Sequence, residues 1–459
     1  MTLLETWVDI VKPWQEVFPQ RRTTVRATRQ ALGALTCLGR RTLTRIIWTN
    51  GREQHAWAAE YFLYSRVKWE PQELFAPILE RALPLCPGRL VGVAVDDTRL
   101  HKTGRCIKQA FYQRDPLSPA FHTNLILGLR FLQASLLVPL HKRDAASCRG
   151  LPIRFEESCA VKRPPRNADE AAWDAYRLAR KHHNLSTHFV AMMARLRQDM
   201  DQAGGTDKTL VIATDGSCCN RTVLTAPRDR TEIIARARKD AVLCRRAPAG
   251  SRRFYDIHKF TPQQVREDDT VAWKTTKVFY GGKRRKVRYK EVGLLHWQGG
   301  ARRTPLRLIV VAPTPYRKRK SAKLYYRQPA YLLTTDCVDS AKALLQIYFD
   351  RWQIEVNHRE EKDTLGVGQA QLWNEVSVPK QPVLVVAAYS ALLLAALLAF
   401  GPHRSHVYAR LPKWRRRATR PSCLDLICLL RREMDERPDC LAPLGINTSR
   451  TDMAACAAA

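Results

Sequence analysis

The chain has 459 residues, 45% of them apolar and 8% aromatic, and carries 77 Lys and Arg against 43 Asp and Glu. That length suits two or three domains and that apolar content excludes wholesale disorder, while a net charge of +34 points to a polyanion, nucleic acid being the commonest. The 13 cysteines include no CxxC pair and no zinc spacing, which excludes a secreted disulfide scaffold and fits free thiols in a reducing cytoplasm.

The opening MTLLETWVDIVKPWQ lacks a basic n-region and a small-residue cleavage site, so it does not read as a signal peptide. Residues 1–85 read helical. Within Thr28 to Trp48, Leu32, Leu35, Leu43, Ile46 and Ile47 are expected to face inward and Arg40, Arg41 and Arg45 outward, as in a helix-turn-helix or an ordinary helical hairpin. From Arg89 the period changes: RLVGVAVDD is a buried strand ending in two carboxylates. Two further strands are expected at Asn124–Leu132 and Ala134–Leu140, then one helix from Asp169 to Asp201. A second buried strand follows at Leu210–Thr214 and ends at Asp215.

Residues 221–330 alternate short strands with basic runs. Trp273–Lys290 holds eight Lys and Arg and no acid, and Gly281-Gly282 within it is a hairpin signal. Leu306–Ala312 is a strand, and Tyr331–Thr335 is expected to return to the main sheet. Ser340–Leu365 reads as a helix. The apolar run Pro382–Phe400 has the minimum spanning length but reads as a core helix, and Arg404–Arg420 is again basic and acid-free. The terminal MAACAAA reads as a frayed tail.

Three features converge on one chemistry. Asp97, with Asp96 beside it, and Asp215 both stand where a buried strand ends, the position that projects into the crevice of an open sheet. On the following helix, Tyr348, Arg351, Glu355 and Lys362 fall at about 0°, 300°, 340° and 320°, one arc of about 60°. Phosphodiester chemistry needs an activated oxygen nucleophile and a stabilised leaving oxygen, which two divalent cations about 3.5–4 Å apart supply. Three carboxylates suffice to anchor such hard cations, and neighbouring basic side chains hold the backbone.

The spacing Tyr348-x2-Arg351-x3-Glu355-x6-Lys362, inside YFDRWQIEVNHREEKDTLGVGQAQ, resembles the YREK signature of DDE transposases of the cut-and-paste insertion-sequence group. VDDTRLHKTG resembles that family's first-acid block and TDGSCCNRT its second, so the likeness covers about residues 90–400 in the right order. The resemblance implies an α/β protein: an RNase H-like catalytic core (86–220 and 331–370) with a β-rich basic insertion (221–330). Helical regions flank it, a DNA-binding one at 1–85 and a C-terminal one at 371–459. It implies that Asp97, Asp215 and Glu355 bind Mg²⁺, with Mn²⁺ able to substitute, and that Tyr348, Arg351 and Lys362 position the scissile phosphate. Asp97 is expected over Asp96 because it precedes Thr98, and strand alternation turns only one of the pair inward. Trp297 or Trp273 would stack on a flipped base, and Arg284 and Arg285 would contact phosphates.

The implied activity is binding of terminal inverted repeats, cleavage of the element ends through a hairpin intermediate, and joining to double-stranded target DNA. The implied agent is a homodimer in the bacterial cytoplasm, at the nucleoid and away from the membrane. No nucleotide cofactor is expected, since no Walker-type loop is present. Two other readings stay open: a catalytically silent DNA-binding protein derived from a transposase, and an RNase H-like nuclease without strand transfer. On the blander side, Tyr348 is a core aromatic, Arg351 and Lys362 are helix-face ion pairs, and His182, His183 and His358 are structural.

Overall fold

The computed structural model describes residues 1–104, 106–115, 118–119, 121–140, 148–319, 321–415 and 418–446. The MAACAAA tail and Arg416–Arg417 of the last basic run lie outside them. The strands are β1 (Leu90–His101), β2 (Phe111–Arg114), β3 (Leu125–Pro139), β4 (Cys148–Glu157), β5 (Thr209–Thr214), β6 (Thr231–Arg236) and β7 (Leu243–Arg246). After these come β8 (Tyr255–Phe260), β9 (Lys274–Tyr280), β10 (Lys283–Trp297), β11 (Arg302–Val311), β12 (Pro315–Tyr316), β13 (Tyr325–Tyr326) and β14 (Ala330–Thr334).

Twelve of these form one mixed sheet in the order β2-β3-β1-β5-β6-β14-β11-β10-β7-β8, with β4 also on β3 and β9 on β10. Only β1 with β5 and β5 with β6 run parallel. Those central strands are apolar runs because both faces are covered. Alternation divides the core between the faces. Val211, Ala213, Ile234, Ile309 and Leu332 pack beneath Leu344 and Leu345 of the Ala341–Asp350 helix. Val93, Val95, Ile212, Ile233 and Leu308 join the main core on the other side, with the Leu185–Gln202 helix and the N-terminal helices.

The apolar run is the middle of a 24-residue helix, Ser377–Phe400, long and apolar enough to cross a membrane, yet 78% of its most apolar window is buried inside the protein. It acts as a spine. Ala388 O accepts from Trp7 Nε1 (3.1 Å), Ser390 Oγ donates to Pro152 O (2.6 Å) in β4, and the Tyr389 hydroxyl takes a bond from Asn357 (3.1 Å). The Leu3–Val11 helix is closed from the far end of the sequence: Glu433 accepts from Leu4 N (2.7 Å) and Arg437 donates to Glu5 (2.8 Å). All twelve cysteines among the described residues are free thiols.

Four expectations change. The two strands expected at 124–140 are one, β3. Gln133 does not break it: its buried Nε2 donates to Ser135 and Glu361. The helix expected from Asp169 to Asp201 is two, Glu170–His182 and Leu185–Gln202, separated where Asn184 caps the second in a capping box with Thr187. The β4 strand was not foreseen. The boundary at 221 is also too early: β6 lies between β5 and β14, so residues through 236 belong to the central sheet, and the insertion extends that sheet. In the N-terminal region the expected pair of helices exists, as Arg21–Thr36 and Leu43–Thr49, with the five named apolar residues buried. Arg41 and Arg45 turn back onto carbonyls of Ala34, Leu38 and Gly39.

Candidate active site

The site begins with the register of two parallel strands. Val93 stands beside Ile212 and Ala94 beside Ala213, so continuing the same offset brings Asp96 level with Asp215. Neighbouring strands are about 4.8 Å apart, and residues level in register share a face. Asp96 therefore faces Asp215, and Asp97 points to the opposite side. There Asp97 Oδ2 lies 3.6 Å from Arg99, and Asp97 lends charge to Arg130. Its own amide donates to Asp96 Oδ1 (2.9 Å), which helps fix the neighbouring carboxylate. The structure thus groups Asp96, and not the expected Asp97, with Asp215.

The third acid comes from the helix above. Ala341–Asp350 and Trp352–Arg359 run on through a tight joint at Arg351, where Ile354 N–H bonds to Arg351 O (3.0 Å). Two glycines let this rod lie close on the sheet. A Cβ on Gly92 would stand 3.0 Å from Ile347, and one on Gly150 would stand 2.7 Å from the Asn357 side chain. The Arg351 guanidinium reaches Asp96 (3.3 Å) and Glu355 (3.8 Å), linking strand acid and helix acid. Asp215 Oδ1 accepts from Ser217 N (2.9 Å) and Ser217 Oγ (2.6 Å), which orients that carboxylate. Burial, then the charge of Asp215, push the Asp96 carboxyl up to about 7. Arg351 opposes this, and Glu355 and Asp97 add to it.

Tyr348 is half-buried beside the same groups. Its hydroxyl is raised by burial and feels Arg351, Arg236 and Asp215. Arg236, at the exposed end of β6, was not foreseen from sequence. Lys362 follows in a wide turn, Glu360–Thr364, closed by an i→i+5 bond from Leu365 N to Glu360 O (2.9 Å). Its charge bears on His358, as that of Arg351 does, and on Glu361.

The insertion reaches this helix through the β9–β10 hairpin. Gly281 and Gly282 both take positive φ (58° and 80°), the two-residue turn foreseen from their pairing. Gln346 clasps the Phe279 backbone from both sides (2.8 and 3.1 Å), and the Tyr280 ring stacks on Phe349 at 4.9 Å. Arg285 lies 5.0 Å over the Tyr280 ring, and Arg284 beside it is exposed. A cavity of about 780 Å³ opens here, bordered by Tyr280, Tyr348, Arg351, Trp352, Arg327 and Arg420. Trp352 is 63% exposed, a large aromatic beside the site that the sequence reading passed over despite its place next to Arg351.

Both candidate tryptophans are half-buried against the main core. Trp273 lies 4.9 Å from Lys290, a fully buried cation that donates to Arg266 O and Asp268 O. Trp297 packs on Gly300 and also lines a recess with Arg221 and Arg238, and Arg221 closely follows the Asp215 turn.

Among the described residues no three His, Cys, Asp or Glu side chains converge as a ready-made metal cluster. The donor chemistry nonetheless suits a hard divalent cation. Asp96, Asp215 and Glu355 offer only oxygen, and the Asp96 carboxyl, raised first by its burial and second by the charge of Asp215, has Arg351 as its opposing cation. Arg351 now holds the position between Asp96 and Glu355. No family model matches the chain, and no curated protein matches it at a significant level.

Proposed function

We propose that the chain is a DDE transposase, cutting and joining DNA by phosphoryl transfer at Asp96, Asp215 and Glu355. The single observation that carries this reading is the register placing Asp96 level with Asp215, with Arg351 tying Asp96 to Glu355. The sheet order supports an RNase H-like core. The antiparallel β4-β3-β1 are followed by parallel β5 and β6, with Asp96 inside β1, which runs on to His101 past the strand end expected at Asp97, Asp215 just after β5, and the third acid on a helix across them.

Asp96, Asp215 and Glu355 would hold divalent metal, Mg²⁺ by preference. When bound, such ions supply Lewis-acid stabilisation of the attacking and leaving oxygens. The residues of the chain supply the rest. Ser217 fixes the Asp215 carboxylate, and the Asp97 amide fixes that of Asp96. Arg351, Arg236 and Tyr348 offer donors to a phosphate lying beside the acids, and burial of Asp96 keeps bulk water from screening them. Trp297, with Arg221 and Arg238 around it, suits an unstacked base better than Trp273 does. Substrates on this reading are the element's inverted-repeat ends and target duplex, handled by a homodimer at the bacterial nucleoid.

The test is cleavage of DNA flanking the reading frame with Mg²⁺ or Mn²⁺, wild type against Glu355→Ala. End nicking, a hairpin product and strand-transfer products, all lost in the variant, are expected. Nicking without joining would replace the transposase with a nuclease of the same fold. Binding without metal-dependent cutting would leave a silent DNA-binding relic.

A further inference from the structure

Between β11 and β14 the chain leaves the main sheet and returns through a small ribbon of its own. Pro315 pairs with Tyr326 and Tyr316 with Tyr325, and neither strand bonds to the twelve-stranded sheet. None of the described residues from 313 to 329 is buried, so the ribbon contributes nothing to the core. Yet it is not a bland loop. It carries Arg317, Lys318, Arg319, Lys323 and Arg327, all exposed, and no acid.

The rings on the ribbon brace these cations. Tyr316 and Tyr325 lie 5.7 Å apart, Lys318 Nζ sits 5.5 Å over Tyr325, and the Arg327 guanidinium sits 5.5 Å over Tyr316. Arg317 is steadied by the Ala322 carbonyl (2.8 Å) across the turn. A solvated charge run has no need of such bracing, because water holds free lysines and arginines at no cost in side-chain freedom. Residues 313–328 hold six Lys and Arg in all, and that many like charges in so short a segment repel one another unless a polyanion joins them.

Its location supplies the direction. Thr314 and Arg327, at the base of the ribbon, line the same cavity as Tyr348, Arg351 and Trp352. A backbone running out of the acidic site past Arg351 therefore meets Arg327 first and the tip cations after it. We infer that the 313–328 ribbon is a DNA-backbone grip, holding phosphates of the strand beyond the scissile position. This inference rests on the proposed phosphodiester site for the identity of its ligand, and it assigns the ribbon a contact set separate from the acids.

The experiment measures equilibrium binding of a labelled DNA duplex over a salt series, without divalent metal. Three variants of the full chain are compared with the wild type. The first is Arg317→Ala/Lys318→Ala/Arg319→Ala/Lys323→Ala. The second is Tyr316→Ala/Tyr325→Ala, which keeps every charge. The third, Lys162→Ala/Arg166→Ala/Arg180→Ala/Lys181→Ala, removes four exposed cations elsewhere. Each phosphate contact is worth about 0.9 in the slope of log K against log salt, so the first should flatten that slope by about 3 to 4 and weaken binding at least about tenfold. The tyrosine variant should weaken binding with its net charge intact, and the control should retain wild-type affinity. Wild-type slope and affinity in the ribbon variants, or an equal loss in the control, would overturn the inference.

Failure of the site reading is seen separately, in Mg²⁺-dependent cutting by the wild type.

Discussion

Which of two adjacent aspartates does the chemistry turns on a contact between strands that are more than a hundred residues apart. Alternation along β1 makes it certain that Asp96 and Asp97 face opposite sides, but which side holds Asp215 depends on the pairing offset with β5. Motif precedent pointed to Asp97, and the register points to Asp96. The expected outcome is that Asp96→Asn lowers metal-dependent cleavage on the order of 10³-fold or more with binding retained. Asp97→Asn, which loses only the Arg99 and Arg130 side of the sheet, should cost less than about tenfold. Equal losses in the two would place the acids differently. Asp215 could be singled out because it follows the end of a recognisable strand, and Glu355 because of its spacing within a recognisable helix. Arg236 was not, because its relation to Tyr348 exists only once β6 lies in the sheet.

Elements reveal where periodicity holds and where it slips. The Gly281-Gly282 hairpin was readable because only glycine takes positive φ at both central positions without strain. The β6 strand hid inside a basic stretch, since six residues give periodicity little to work with. The single helix expected over Ser340–Leu365 ends in a wide turn, a feature with no sequence marker. The end of this helix and the turn bury two titratable groups, His358 and Glu361, with opposite consequences. Burial raises Glu361 to about 8 from an ordinary 4.5. The folded state thus keeps a proton that the unfolded chain has lost, and stability falls as pH climbs from about 4.5 to about 8. Burial, with Lys362 and Arg351, lowers His358 to about 3. The unfolded chain then takes up a proton below about 6.5 that the fold refuses, and stability falls toward acid. Glu361→Gln keeps an oxygen for Gln133 and should raise stability by about 1–2 kcal/mol at pH 8 and above, with little change at pH 4. Thermal melts across pH check this, and an unchanged alkaline limb would reject it.

At the scale of the molecule, charge and connectivity set the behaviour. The +34 surplus was plain from composition, and it predicts binding dominated by phosphate contacts. Duplex affinity should fall by about 10³-fold or more between 50 and 200 mM salt, and an affinity flat over that range would remove backbone recognition from the account. The layered organisation was legible in outline: helices, a strand-rich centre, a basic insertion, more helices. The continuity of the sheet across β6, β14 and β11 was not, because nothing local tells a strand which neighbour it will join.

One contact also fixes a schedule. The Leu3–Val11 helix is closed by Ala388, Glu433 and Arg437, partners made some four hundred residues later. At roughly 5–20 residues per second of synthesis, the indole of Trp7 and the face around it wait on the order of 20–80 s on the ribosome for their cover. The nascent chain is therefore most exposed to proteases and to its own kind at its earliest-made helix. A release after residue 380 would leave the helix only its early partners, Trp14 against Trp7 and Arg81 against Asp9, so chains stalled there should be cleared faster than chains stalled past residue 440.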